Sequence, residues 1–147
     1  LLVTSAVLQG TTVTAQEVPG VIDELPILMV AASCARGVSR FEGVGELRVK
    51  ETDRLASMMS GLTCLGARIR LAGRDCVEIE GAALRAGEVS SAADHRTAMS
   101  LAVAGLIAEG GVTIVRQAEC VTKSFPEFFN QLAQLAGSPT VKTVDKA

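Results

Sequence analysis

The sequence predicts an α/β fold assembled from about two copies of one strand-helix-strand-helix-strand-strand (βαβαββ) unit. Three observations predict it. Segments with the 3.6-residue period of helices alternate with short runs of strand character. The same pieces recur in the same order, Asp23 to Asp94 at an offset of 71 residues and Lys50 to Lys123 at 73. A period that long marks a duplicated supersecondary unit rather than a short-repeat solenoid. One helix is also apolar nearly all round, as a helix buried on every side must be.

The first helix is expected over 23–36, stopping at Gly37. The second, over 52–65, puts Leu55, Met58, Met59, Leu62 and Leu65 on one face and stops at Gly66. The third, over 94–109, is the all-round apolar one ("AMSLAVAGLIA"). The fourth opens at "SFPEFF", where Ser124 and Glu127 have capping-box spacing and Pro126 suits a first turn. It carries Phe128, Phe129, Leu132 and Leu135 and ends at Gly137. Strands are expected at "LLVTSAVL", "TTVTA", "GVSRFEGV", "ARIRLAG", "CVEIEGA" and "GVTIVRQAEC". The repeat itself is visible as "DELPILMVAASCARGVS" answered by "DHRTAMSLAVAGLIAEGGVT", each followed by a lysine and a second helix. The tail over 138–147 is polar and expected to be loose.

Composition narrows the function. With 147 residues, 48% of them hydrophobic and 20% charged, the chain suits one folded domain. Aromatics are limited to four Phe, so Leu, Val, Ile, Ala and Met must form the core. A net charge of -2 argues against a nucleic-acid surface. The longest apolar runs, 25–32 and 101–108, fall short of the ~20 residues a spanning helix requires. The N-terminus has no initiator Met and none of the parts of a signal peptide, and the expectation is a fragment of a longer, cytoplasmic protein. The four cysteines are widely spaced and read as buried or half-buried thiols of a reducing compartment rather than as a metal or redox motif. There is no Walker loop, no G-x-G-x-x-G and no G-x-S-x-G. The single histidine, His95, is expected to be structural and hydrogen-bonded.

The ionisable residues concentrate at expected helix N-termini: Asp23 at the first, Lys50 to Arg54 at the second, Asp94 and Arg96 at the third, Lys123 at the fourth. In a strand-helix repeat these ends gather on one side, and each offers free N–H groups and a positive dipole end. The acids Asp23, Asp53 and Asp94 have a sufficient structural role as caps. The bases Lys50, Arg54, Arg96 and Lys123 stand where the dipole repels them. They either pair with neighbouring acids, Arg54 with Glu51 and Arg96 with Asp94, or form a mouth for phosphate or carboxylate. A carboxylate in that mouth could serve as general acid or base.

At these residues the sequence resembles a known family. "ELRVKETDRL", "DHRTAMSLAVAGL" and "TKSFPEFF", with "IDELPIL" upstream, are similar to the C-terminal third of the 5-enolpyruvylshikimate-3-phosphate synthases, over 3–137. The resemblance implies transfer of the enolpyruvyl group of phosphoenolpyruvate to the 5-hydroxyl of shikimate 3-phosphate, the glyphosate-blocked step of aromatic amino-acid synthesis, with no metal or organic cofactor. It implies an inside-out α/β architecture of parallel buried helices covered by small mixed sheets, helix N-termini facing a cleft between two domains. Residues 1–137 would then be part of the C-terminal domain, about two of its three units.

Carried over by motif, Asp23 matches the carboxylate that takes the hydroxyl proton and contacts substrate, and Glu51 the acid that helps protonate the methylene carbon. Lys50 matches a shikimate 3-phosphate contact, while Arg54, Arg96 and Lys123 match the cations that hold phosphoenolpyruvate or glyphosate. Two departures stand out: Glu46 occupies a place where many relatives carry an amide, and the N-terminal domain, with its half of the contacts, is absent. The chain alone is therefore expected to be inactive and to self-associate. Rival readings are a non-catalytic anion-binding module of the same fold, the related transferase acting on a UDP-amino sugar, and an RNA 3′-phosphate cyclase. The last is disfavoured by one His and the negative charge.

Overall fold

A computed structural model describes residues 2, 4–137, 141, 142 and 144. The elements run β1 (Thr12–Val13), α1 (Val18–Val21), α2 (Leu25–Ser33), β2 (Val38–Glu42), a 3₁₀ turn (Val44–Val49), α3 (Arg54–Cys64), β3 (Arg68–Leu71) and β4 (Cys76–Glu80). Then come β5 (Glu88–Ser90), α4 (His95–Ile107), β6 (Ile114–Arg116), a second 3₁₀ turn (Ala118–Lys123) and α5 (Phe128–Ala136). Apart from the short α1, the order is βαβαββ followed by βαβα, which is the predicted unit and most of a second.

Strand pairing repeats as well. In the first sheet the order is β1-β2-β4-β3. β1 lies parallel to β2, with Thr12 opposite Arg40, and β4 is antiparallel to both β2 and β3. β5 and β6 form a second parallel pair, Val89 opposite Val115, reproducing β1 and β2. Each unit also enters its 3₁₀ turn through a left-handed residue, Gly43 (φ 69°) in the first and Gln117 (φ 59°) in the second.

The helices are inside and the sheet outside. Leu25, Met29 and Val30 of α2, Leu55, Met58 and Leu62 of α3, and Leu101 and Ala104 of α4 form one core with Phe41, Val77 and Ile79 from the inner sheet face. The outer face is polar, as the period-2 pattern requires: Arg40 pairs with Glu78 at 2.6 Å, and Arg70 reaches the same carboxylate. Helices α3 and α4 approach so closely that a Cβ on Gly61 would lie 2.8 Å from both terminal methyls of Leu101.

Several expected boundaries are corrected. The first helix begins at Leu25 behind Glu24, so Asp23 is not its cap. Asp53 and Asp94 are caps: Asp53 accepts from Ala56 N–H at 2.8 Å, and Asp94 accepts from the N–H groups of Arg96 and Thr97. The capping box of the fourth helix does not form. Ser124 Oγ donates to the Val121 carbonyl, and α5 starts at Phe128 with no side-chain cap. Its expected apolar face is partial, since Leu132 is buried but Leu135 is 86% exposed.

The described residues of "LLVTSAVL" form no strand, contributing only backbone bonds beside Arg36, such as Arg36 N–H to the Leu8 carbonyl; Leu1 and Val3 lie outside the described residues, as does most of the tail. The expected strand over 111–120 shrinks to β6, its end taken by the second 3₁₀ turn, and β5 and α1 were not anticipated.

Cys76 and Cys120 are buried, but Cys34 and Cys64 are exposed. Both exposed thiols sit at helix C-termini, where the chain leaves the core. His95 is half-buried and, among the described residues, its side chain makes no hydrogen bond, unlike the role expected of it. No helix among the described residues is long and apolar enough to cross a membrane.

Candidate active site

The N-terminal ends of α2, α3 and α4 meet, and their charged side chains close into one network. Arg54 is its hub. As the first residue of α3 it points into the space between helices, and its side chain is 1% exposed. Removing a guanidinium from water costs roughly several kcal/mol unless its donors are well paired. Arg54 meets that demand with three carboxylates. Nε donates to Asp94 Oδ2 at 3.0 Å, Nη1 to Asp23 Oδ1 at 3.3 Å, and Nη2 to Glu51 Oε2.

Arg96, the second residue of α4, completes the network. Its Nη1 donates to the Asp23 carbonyl at 3.0 Å and its Nη2 to Asp23 Oδ2 at 3.1 Å. Glu24 lies 3.9 Å from the same guanidinium. Asp23, in the turn between α1 and α2, therefore bridges both arginines. It remains 43% exposed, and Glu51 is 58% exposed, whereas Asp94 is fully buried. The arrangement is thus layered, with a buried Asp94–Arg54 pair beneath and two solvent-facing carboxylates above. A hydroxyl pair, Ser57 and Thr97 at 3.2 Å, ties α3 to α4 just below.

Four of the six residues singled out in the sequence, Asp23, Glu51, Arg54 and Arg96, are brought into direct contact. Two are not. Lys50 donates to Glu46 at 2.8 Å, a pair one turn apart in the 3₁₀ segment and its exit. Lys123 ends the second 3₁₀ turn, and its side chain has no hydrogen bond or ion pair among the described residues. The bond of Asp94 to Arg54 went unnoticed in the sequence, where Asp94 reads as a cap or as a partner for Arg96. The signal was the repeat, because Asp94 matches Asp23 one unit on and both end at Arg54. Of the two pairings expected as the structural alternative, Arg54 with Glu51 forms, while Arg96 turns to Asp23 rather than to Asp94.

Chemically the cluster combines two solvent-facing carboxylates with two guanidiniums whose fork geometry suits carboxylate or phosphate. A family model described as EPSP synthase (3-phosphoshikimate 1-carboxyvinyltransferase) matches residues 2–132. The chain belongs to the EPSP synthase family.

Relatives in the EPSP synthase family agree. A 3-phosphoshikimate 1-carboxyvinyltransferase of Synechocystis sp. is 47% identical over 137 residues, covering 92% of this chain and 30% of its own length. One from Roseiflexus sp. is 46% identical over 134 residues, covering 91% and 31%. EPSP synthase from Acinetobacter baumannii superposes with a TM-score of 0.80 at 40% identity, over 88% of this chain and 30% of that one. The enolpyruvyl transferase NikO from Streptomyces tendae, at 18% identity and a TM-score of 0.68, shares the fold. The chain spans under a third of the length of the curated relatives it matches.

Proposed function

We propose that this chain forms one wall of an EPSP synthase active site, in an enzyme that transfers the enolpyruvyl group of phosphoenolpyruvate to the 5-hydroxyl of shikimate 3-phosphate. The observation that carries the reading is the single cluster of Asp23, Glu51, Arg54 and Arg96 at three converging helix N-termini. In this reading Asp23 takes the proton of the attacking hydroxyl as its oxygen bonds to C2 of phosphoenolpyruvate. Glu51 delivers a proton to the C3 methylene, giving a tetrahedral intermediate. Return of a proton from C3 to the Glu51 carboxylate and loss of phosphate from C2 then restore the vinyl group. Lys50 contacts shikimate 3-phosphate, while Arg54, Arg96 and Lys123 hold phosphoenolpyruvate or glyphosate. Holding two polyanions side by side is the main demand of such a reaction, and fixed cations meet it without reorganisation.

The reading extends to the whole protein. Residues 1–137 form part of a C-terminal domain and 138–147 a tail. The enzyme works in the cytoplasm without metal or organic cofactor, its other wall comes from an N-terminal domain, and this chain by itself is inactive and self-associates. The test is to combine the chain with the remaining portion of the Synechocystis relative, add both substrates and measure phosphate release. Release should fall about 10²–10⁴-fold in Glu51→Gln, the usual worth of a positioned acid or base.

A second reading is favoured by one observation: Arg54 is buried with three of its N–H groups already on carboxylates. That is also how a structural ion-pair hub looks. No phosphate release from an assembled complex would select it.

A further inference from the structure

We propose that Asp94 is a positioning residue for the substrate-holding guanidiniums, fixing Arg54 with one carboxylate oxygen and the helix turn that carries Arg96 with the other. The proposal rests on the reading of Arg54 and Arg96 as the cations that hold phosphoenolpyruvate. Asp94 Oδ1 accepts from the backbone N–H of Arg96 at 2.9 Å and of Thr97 at 3.0 Å, and Oδ2 accepts from Arg54 Nε. A helix cap needs only the first of these. Asp53, which caps α3, is 42% exposed and lies 3.6 Å from the nearest cation, Arg48. Asp94 is fully buried and spends its second oxygen on a buried cation.

The geometry assigns separate parts of Arg54 to separate tasks. Nε is held by the partner that solvent cannot reach, and Nη1 and Nη2 face the two exposed carboxylates. An arriving anion can displace Asp23 or Glu51 from the Nη groups while Asp94 keeps the guanidinium plane in place. The same carboxylate sets the start of α4, so Arg54 and Arg96 are held in mutual register although they belong to different repeat units.

A second, independent observation shows how Asp94 is held inward. Ala92 and Ala93, immediately before it, both adopt left-handed backbone, at φ 54° and 58°. Such conformations are unfavourable for residues with a Cβ and persist where the surroundings fix them. Here Ser90 and Ser91 fix them: Ser90 Oγ accepts from Ala92 N–H at 3.1 Å, and the fully buried Ser91 donates its hydroxyl to the Gln117 carbonyl at 2.9 Å and accepts from Ala93 N–H at 3.1 Å. The strained turn delivers Asp94 into the space between α3 and α4.

The test uses the complex of this chain with the remaining portion of the Synechocystis relative. Asp94→Asn keeps an acceptor for the cap and removes the charge facing Arg54. Two changes are expected. The Arg54 Nε–H, whose bond to buried Asp94 should slow its exchange in the parent, exchanges at least about 10-fold faster, and KM for phosphoenolpyruvate rises by about 10-fold or more, the worth of a charge-assisted hydrogen bond. KM for shikimate 3-phosphate should rise less than that for phosphoenolpyruvate, since Lys50 lies outside the network and Asp23 keeps its two bonds to Arg96.

Ser57→Ala, which breaks the neighbouring α3–α4 hydroxyl pair, should leave both KM values unchanged. If Asp94→Asn does not fold, Asp94→Glu carries the test, because it keeps the charge but moves the carboxylate from its place at Arg54 Nε, and it should raise the phosphoenolpyruvate KM selectively. Equal rises in both KM values, or an unchanged phosphoenolpyruvate KM, overturn the proposal. A complex in which even the parent releases no phosphate removes the proposed reaction instead, and Nε–H exchange then decides alone: retained protection in Asp94→Asn overturns the positioning role.

Discussion

Arg54 and Glu51 hold each other in check. The guanidinium is buried, yet one of its partners, Glu51, is 58% exposed and three residues away on the same chain turn. The carboxylate half of the pair is largely in water, so releasing it strands no buried anion, and the buried guanidinium keeps Asp94 and Asp23 as partners. An anionic substrate group can therefore replace Glu51 at Nη2 at small cost, and in doing so it releases the carboxylate for proton transfer. Glu51→Gln should separate the two effects. In the reassembled complex, phosphoenolpyruvate binding followed by calorimetry should tighten by about two- to fivefold, while turnover falls. Weaker binding would show that Glu51 contacts the substrate rather than competing with it.

At this scale the sequence was informative about which residues matter and silent about how they meet. Charges crowded into "KETDR" against an apolar background marked Glu51 and Arg54. Their arrangement depends on Asp23 and Asp94, which lie 31 and 40 residues from Arg54, and separations of that kind leave no local pattern.

Elements follow the sequence where hydrophobic period and cap agree, and depart from it where they conflict. α3 has both: Asp53 accepts from Ala56 N–H, and Leu55, Met58 and Leu62 line the core. α5 has a capping-box spelling without the geometry. The chain is still turning at Ser124 and Phe125, whose N–H groups both donate to the Val121 carbonyl. Pro126 then keeps Phe125 from entering a helix.

The two sites should therefore respond differently to alanine. Asp53→Ala should destabilise the chain by about 1 kcal/mol, as loss of an N-cap does, and Ser124→Ala should change stability by less than ~0.5 kcal/mol. Denaturant midpoints measured at constant m-value would decide. Equal losses at both positions would mean that Ser124 does cap a helix in solution. The elements that escaped notice are the short ones: α1 has four residues and β5 three, too few for a period to register. The 3₁₀ turns are hidden for the same reason, since each has six residues and buries only two of them, Val44 and Leu47 in the first and Cys120 and Val121 in the second.

At the scale of the whole molecule, the second sheet has two strands among the described residues where the first has four, and the exposed surface follows from that. In the first unit β2 has neighbours on both sides, β1 in parallel and β4 antiparallel. β6 holds the place of β2 in the second unit, but among the described residues it has only β5. Its outer edge offers unpaired backbone groups next to apolar side chains, with Val112 80% exposed and Ile114 42%. Ile107, at the end of the helix expected to be buried on every side, is 50% exposed. An open strand edge beside exposed aliphatic surface is the arrangement that folded proteins normally cover or charge.

The chain by itself should consequently associate, through an antiparallel strand added at β6 or through the α4 end beside it. Sedimentation velocity over a hundredfold concentration range should show a rising weight-average mass. Ile114→Lys should lower it without lowering the melting temperature, because that side chain contributes little to the core. Adding the remaining portion of a relative should suppress association more completely than the lysine, since it covers the helix end as well as the edge. A monodisperse monomer across the whole range would mean that the second unit is closed in solution in some other way, and the exposed surface of Val112 and Ile114 would then be occupied by the chain itself.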